Sequence, residues 1–416
     1  MKKETVKIVI TGHIDHGKST FIGRLLIDTN SLPKDKMKEI DKIAKELGRD
    51  TQLAFVTDQL KEERERNITI DTTQIFFKTQ KRNYCIIDAP GHVEFLKNMI
   101  SGATQAEAAV LIIDAKEGLK EQTRRHAYII SFLGIKKVIA IINKMDLIDY
   151  SESEFNRLRS ELFDFMTNLG IEPSYCVPIS AKEGANVSTR SRLTSWYKGP
   201  SVLEALDSLK IAKKSAKIPL RFPIQDIYDI GNDRIIVGRV ASGVIRQGQD
   251  VTLLPSFAEA KITAVKAFGK TNKKEACSGE NIGLIIQTDK SAAFQRGQII
   301  VEKDNPPKPT TSFKANIFWM SPEPLRVGKP VTLRCATQEI ECVAINIEKR
   351  IDSSTLQILE ERASLMKENE AGMVTFKSDR PIVVEIFSFV DELGRFVIEH
   401  QYNLRGAGII SEENAK

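Results

Sequence analysis

Up to about residue 209, short apolar runs alternate with longer stretches of helical periodicity. Residues 6–11, 84–88, 108–114 and 138–143 predict strands, because each is an apolar run of strand length bounded by polar or turn residues. Residues 17–29, 94–104, 120–133 and 152–169 predict helices, and 201–209 closes the series. Alternation of this kind, with connections long enough for crossovers, specifies a mostly parallel α/β sheet with helices on both faces. After a short basic linker at 211–217 the helical period fades, and Val/Ile-rich segments alternate with Gly-containing turns, the pattern of an all-β barrel. Three prolines in the polar stretch 304–309 mark a second linker, beyond which β-type segments resume and end near Ile410. The expected domains are therefore 1–210, a barrel over 218–303 and a second barrel over 311–412.

Composition changes this picture little. A length of 416 residues fits two or three domains, and 41% hydrophobic with 28% charged residues lets each of them fold in water. The formal charge of +6 comes without a dense Lys/Arg block, so nucleic-acid binding is neither demanded nor excluded. Five scattered cysteines without a CxxC pair point to reduced thiols. The start MKKETVKIVITG has no signal-peptide character, and no run approaches the roughly 20 apolar residues of a membrane span. A soluble, cytoplasmic protein is expected.

Chemistry concentrates at the ends of the predicted strands. The segment from Gly12 through His13, Ile14, Asp15, His16, Gly17 and Lys18 to Ser19 fits GxxxxGK[ST] and lies between a predicted strand and a predicted helix, the setting of a phosphate loop. Its glycines let backbone N–H groups close on phosphates, Lys18 brings a point charge to the β and γ oxygens, and the Ser19 hydroxyl suits Mg²⁺. Thr20 completes the loop's exit into the helix. His13 and His16 sit inside the loop and not on one helix face, so they orient it and do not form a zinc pair. Asp88, at the end of a second strand, opens Asp88-Ala89-Pro90-Gly91-His92, which places a carboxylate near Mg²⁺ and the Gly91 N–H near the γ-phosphate.

Asn143-Lys144-Met145-Asp146 ends a further strand, at the sheet edge where ligands bind. A carboxylate at Asp146 accepts from the N1–H and the exocyclic amine of guanine, donors that adenine does not offer on that edge, so ATP would leave a buried acceptor empty. Asn143 is expected to tie this loop to the phosphate loop, and the Lys144 stem to lie across the purine. Ser180-Ala181-Lys182 adds a backbone N–H for the guanine oxygen. These four segments in order, each after a strand, specify GTP with Mg²⁺.

Within the charged insertion between Asn30 and Asp71, Thr69 is placed to reach Mg²⁺ only while the γ-phosphate is present. His92 is expected to orient the attacking water, with Ile14 and Ile68 either an apolar gate or ordinary core. Asp15 joins His92, Thr69 and Gly91 in the set expected to carry catalysis.

These motifs, followed by two barrels, resemble the translation-factor class of GTPases, the group of elongation factor Tu and elongation factor 1-alpha, along nearly the whole chain. Stretches such as RLLIDTNSLP, LKEERERNITIDTTQIFF and IIDAPGHVEFLKNMISGATQAEAAVLIIDAKEG look most like the large, regulatory GTPase subunit of bacterial sulfate adenylyltransferase. Alpha-type elongation factors follow closely. In the last domain FWMSPEPLRVGKPVTLRC, IDSSTLQ, KENEAGMVTFKSDRPIVV and FVIEH favour the sulfate subunit. That resemblance implies GTP hydrolysis driving the adenylation of sulfate by ATP on a small catalytic partner subunit, in a heterodimer. Delivery of aminoacyl-tRNA to the ribosome, or a stand-alone regulatory switch, is the alternative. The loop GHIDHGKS and the sequence APGH stand as in elongation factors, where the sulfate subunit commonly has GSVDDGKS and TPGH, and Asn67 replaces a glycine common to both. The adenylylsulfate kinase domain that some relatives append is not expected after Lys416.

Overall fold

The computed structural model describes residues 5–13, 15–32, 74–88, 106–211, 218–231, 233–267, 270–288, 294–401 and 403–413. The chain divides into two compact units, Met1–Ile211 and Ala212–Lys416.

The described part of the first unit runs β1 (Thr5–Gly12), α1 (Lys18–Asp28), β2 (Gln74–Lys78), β3 (Asn83–Asp88), β4 (Ala108–Asp114), α2 (Glu121–Phe132), β5 (Val138–Asn143), α3 (Glu152–Asn168), β6 (Tyr175–Pro178) and α4 (Val202–Ser208). Its six described strands form one sheet in the order β2-β3-β1-β4-β5-β6. Pairing is parallel except at the edge, where β2 runs antiparallel to β3. Every residue of β4 and β5 is buried, as central strands covered on both faces must be. On one face Ile8, Ile10, Val110, Ile112 and Ile141 pack with Phe21, Ile22 and Leu25 of α1 and with Val202 and Leu206 of α4. Residues of opposite parity, among them Val9, Leu111 and Ile142, are buried as well. Each such side chain contributes about 1.5–3 kcal/mol on leaving water, so this core fixes the register.

That register brings chemically distinct residues to one edge. Ile10 pairs with Asp88, Gly12 with Ile112, Asp114 with Asn143 and Ile142 with Pro178. The carboxyl ends of β1, β3, β4, β5 and β6 therefore open onto a common rim, where parallel α/β sheets bind ligands.

The second unit is two closed antiparallel barrels. One joins Asp250–Leu254, Ile299–Glu302, Arg221–Ile230, Asp233–Arg239, Asn281–Gln287 and Ala258–Ala267, and the last strand pairs back to the first. Phe222, Ile236, Leu253, Ile262 and Leu284 fill it. The other joins Pro330–Cys335, Arg395–His400, Asn403–Glu413, Thr310–Trp319, Glu370–Ile382 and Gln338–Asp352, again closing on itself. Phe313, Phe376 and Phe396 form its aromatic centre, with centroids 5.8–6.0 Å apart. Closure leaves the paired strands of each ring without a bare edge. No described helix is long and apolar enough to cross a membrane, and all five cysteines are unpaired.

Candidate nucleotide-binding site

β1 ends at Gly12 and α1 begins at Lys18, so the loop between them lies on the strand-end rim. Two of its glycines are required by contact. A Cβ on Gly12 would lie 2.4 Å from the Ile112 carbonyl oxygen; one on Gly17, whose φ is 87°, would lie 2.4 Å from Asn143 Nδ2. Gly17 is the cap of α1, which has no side-chain cap bond and no acidic residue in its first turn. An open helix start of this kind suits a bound anion. Lys18 folds across the loop and donates to the carbonyls of Gly12 at 2.6 Å and His13 at 2.7 Å, which holds its ammonium over the loop's mouth. Asp15 is exposed, with φ 63°, and Ser19 and Thr20 are half-buried in the first turn.

His16 is fully buried, with Nδ1 3.3 Å from the Ile112 carbonyl, a contact that requires the proton on that nitrogen. Burial lowers its pKa, reinforced by His13 and opposed by the Ile112 bond. The His13 ring meets it edge-on at 5.1 Å. Both histidines thus shape the loop, and the described residues contain no group of three or more His, Cys, Asp or Glu able to hold a metal. The donor set at the rim nevertheless fits Mg²⁺, which keeps several waters and takes only one or two protein oxygens beside phosphate oxygens. Ser19 lies in the first turn of α1 and Asp88 ends β3, a strand directly paired with β1.

The base side is built around Asn143, 2% exposed. Its Nδ2 donates to the His16 carbonyl at 2.8 Å, and its Oδ1 accepts from the Ala181 N–H at 3.0 Å. One side chain therefore spans the phosphate loop, the Asn143–Asp146 loop and the Ser180–Lys182 loop. Lys144 takes a left-handed φ of 62° and pairs with Asp114 at 2.7 Å. Asp114, the last residue of β4, also accepts from the amides of Lys116 at 2.7 Å and Glu117 at 3.2 Å. Burial would raise its pKa, but the Lys144 bond and the two amides outweigh burial and hold it below the usual value. Asp146 is half-buried in the turn Met145–Ile148, Ser180 and Ala181 are buried, and Lys182 is exposed.

Ile14, Ile68, Thr69, Gly91 and His92 lie outside the described residues, as do Asn67 and the helix expected at 94–104; of Asp88 the backbone alone is described. The described residues thus bring Gly12 to Thr20 (Ile14 excepted) and the residues at 143–146 and 180–182 to one rim. The sequence reading passed over Asp114, although its signal was available: it ends an apolar strand directly beside Asn143.

Family models cover the chain in three segments. The model of the Elongation factor Tu GTP binding domain matches residues 3–212, Elongation factor Tu domain 2 matches 233–301, and the GTP-eEF1A C-terminal domain-like model matches 312–411. Elongation factor 1-alpha of Archaeoglobus fulgidus is 37% identical over 98% of this chain and 98% of its own length. The chain belongs to the elongation factor Tu and 1-alpha family of GTPases. Its first unit is a GTP-binding, GTP-hydrolysing domain, followed by two β-barrels. As in that family, its nucleotides are GTP and GDP, with Mg²⁺ the usual companion ion. Elongation factor 1-alpha of Methanosarcina mazei is 37% identical over 98% of this chain and 97% of its own length. A solved structure of sup35 complexed with GDP is 25% identical and covers 99% of this chain and 94% of that one, at a TM-score of 0.46.

One expectation is overturned. The small catalytic subunit of sulfate adenylyltransferase is not the partner these relatives indicate, since they are elongation factors 1-alpha matched from end to end. The residues that carry the resemblance to the sulfate subunit are barrel-forming ones. Trp319 is 3% exposed with Nε1 donating to the Glu323 carbonyl, Leu333 and Val374 are core, and Gly328 makes a turn at φ 79°. Such positions record how a barrel is packed and carry no information about a partner. GHIDHGKS and APGH, which touch the ligand site, already followed the elongation-factor pattern.

Proposed function

We propose that this GTPase acts in translation elongation, carrying aminoacyl-tRNA to the ribosome in its GTP state and letting go after hydrolysis. The observation that carries the reading is the match of 35–37% identity to elongation factors 1-alpha over 98–100% of the chain, barrels included. A nucleotide site alone would fit any member of the class.

Within that reading the modules are 1–210, 218–303 and 311–412. Gly12 to Thr20 cradle the phosphates, with Lys18 on the β and γ oxygens. Ser19, Thr69 and Asp88 are assigned to Mg²⁺, which when bound would supply positive charge to offset that of the phosphates. Asp146 reads the guanine N1–H and amine, the Ala181 region meets the guanine oxygen, and Asn143 keeps both loops in register with the phosphate loop. His92, with Gly91, Thr69 and Asp15 around it, orients the attacking water.

The test is protection of the ester bond of an aminoacyl-tRNA. With GTP or a non-hydrolysable analogue the chain is expected to slow spontaneous deacylation, and with GDP it is expected not to. Equal deacylation in both states would reject tRNA delivery while leaving the GTPase assignment intact.

A further inference from the structure

Beyond Asp146 the chain enters a conformation that ordinary residues avoid. Asp149 and Tyr150 are consecutive and left-handed, with φ 50° and 54°, a region that residues with a Cβ rarely occupy. Three hydrogen bonds hold Tyr150 there. Its N–H donates to the Met145 carbonyl at 2.9 Å. Its carbonyl accepts from Trp196 Nε1 at 3.0 Å. Its hydroxyl donates to the Glu183 carboxylate. Trp196 is itself seated against Phe155 of α3, 5.2 Å between ring centroids, and edge-on to Tyr197 at 6.3 Å. The segment Thr194 to Pro200, to which the nucleotide motifs give no role, is thus the anchor of Tyr150.

Glu183 directly follows Ser180-Ala181-Lys182, and its own N–H donates to Ser180 Oγ at 3.2 Å. The Tyr150 hydroxyl is therefore tied to one base loop while its backbone belongs to the other. Burial and the Glu183 bond raise the Tyr150 pKa, the charge of Asp146 pushes the same way, and Ser180 opposes them. The two loops are already joined at their buried base through Asn143 and Ala181. Glu183 is exposed and Tyr150 half-buried, so the second link stands at the outer end and can open without disturbing the core.

We propose that Tyr150 and Glu183 form a latch across the two base loops, a pair of positioning residues that hold Asp146 and Ser180–Lys182 closed on guanine and so set how fast the nucleotide leaves. This rests on the reading of those loops as the guanine site. A tyrosine suits the task because its rigid ring reaches between loops at little rotamer cost, while its hydroxyl makes one charge-assisted bond.

Release of methylanthraniloyl-GDP from the full chain, followed by stopped flow, tests the latch. Tyr150→Phe and Glu183→Ala are each expected to speed release about five- to tenfold, the worth of one ordinary hydrogen bond, since Glu183 is exposed to water. The double variant is expected to be no faster than either single one, because both remove the same bond. Glu183→Gln, which keeps an acceptor, is expected to recover most of the wild-type rate. Thermal midpoints are expected to stay within about 2 °C of wild type, separating a latch from general loosening. Unchanged release in both single variants, or effects that multiply in the double, would overturn the latch. Wild-type protein that failed to prefer GDP to ADP would instead overturn the base-site reading beneath it.

Discussion

His126 shows how the fold sets the charge of a single group. It lies on the inner side of α2, fully buried, and neither ring nitrogen has a hydrogen-bond partner. Burial above all, joined by the charges of Lys18, His13, His16 and Arg125, drives its pKa down to about 3. In the unfolded chain an imidazole titrates near 6.5. The folded state therefore favours the neutral ring, and its full contribution is present above about pH 6.5. As pH falls from there toward 3, the unfolded chain takes up a proton that the fold refuses, and stability declines by at most about 1.4 kcal/mol per pH unit. His126→Leu is expected to flatten this part of the profile and to leave the protein at least as stable at pH 8, since no orphan nitrogen remains buried. Unfolding midpoints measured between pH 8 and 5 check this, and parallel slopes for the two proteins would contradict it.

At the scale of elements, the legible parts were those where burial dictates every position. β4 and β5 begin and end where their apolar runs do, because both faces are covered and the chain turns polar at the rim. Helix ends were displaced by a residue for physical reasons: Gly17 and Ser201, read as helical, are the caps that precede α1 and α4. β2 escaped notice because five alternating residues at an edge carry too weak a period, and it follows a long charged stretch. Within the site, strand-end motifs were readable, whereas the Asp114–Lys144 pair and the Tyr150–Glu183 link join segments that only folding brings together. α4 offers a test of local chemistry. Ser201 Oγ accepts from the Glu204 N–H at 3.3 Å while the Glu204 carboxylate accepts from the Ser201 N–H at 2.8 Å, a reciprocal cap. Ser201→Ala is expected to cost about 1–2 kcal/mol in chemical denaturation. GDP affinity should be unaltered, because the cap lies outside the nucleotide loops; an unchanged denaturation midpoint would show that solvent replaces it.

Across the second unit, what matters is whether the barrels respond as one body. Arg221 opens a strand of the first barrel and Glu385 follows a strand of the second, and their side chains meet at 2.7 Å with 2% and 9% exposure. Arg221 also donates to the Leu220 carbonyl at 3.0 Å. Around the pair, Leu254, Ile299 and Val301 of one barrel pack on Val383, Val390 and Leu393 of the other. Apolar contact supplies the adhesion, since two charges moved out of water roughly cancel their own attraction. The pair's effect is instead on specificity, because a sliding or separated arrangement would leave a buried charge without its partner. Glu385→Ala is therefore expected to cost about 3–5 kcal/mol, far more than a surface ion pair. Arg221→Met combined with Glu385→Leu is expected to regain most of that loss, as apolar side chains can fill the same space. Denaturant unfolding of the full chain separates these cases. If Glu385→Ala cost less than about 1 kcal/mol, the charge would be reaching water, and the barrels would be held by the apolar seam alone.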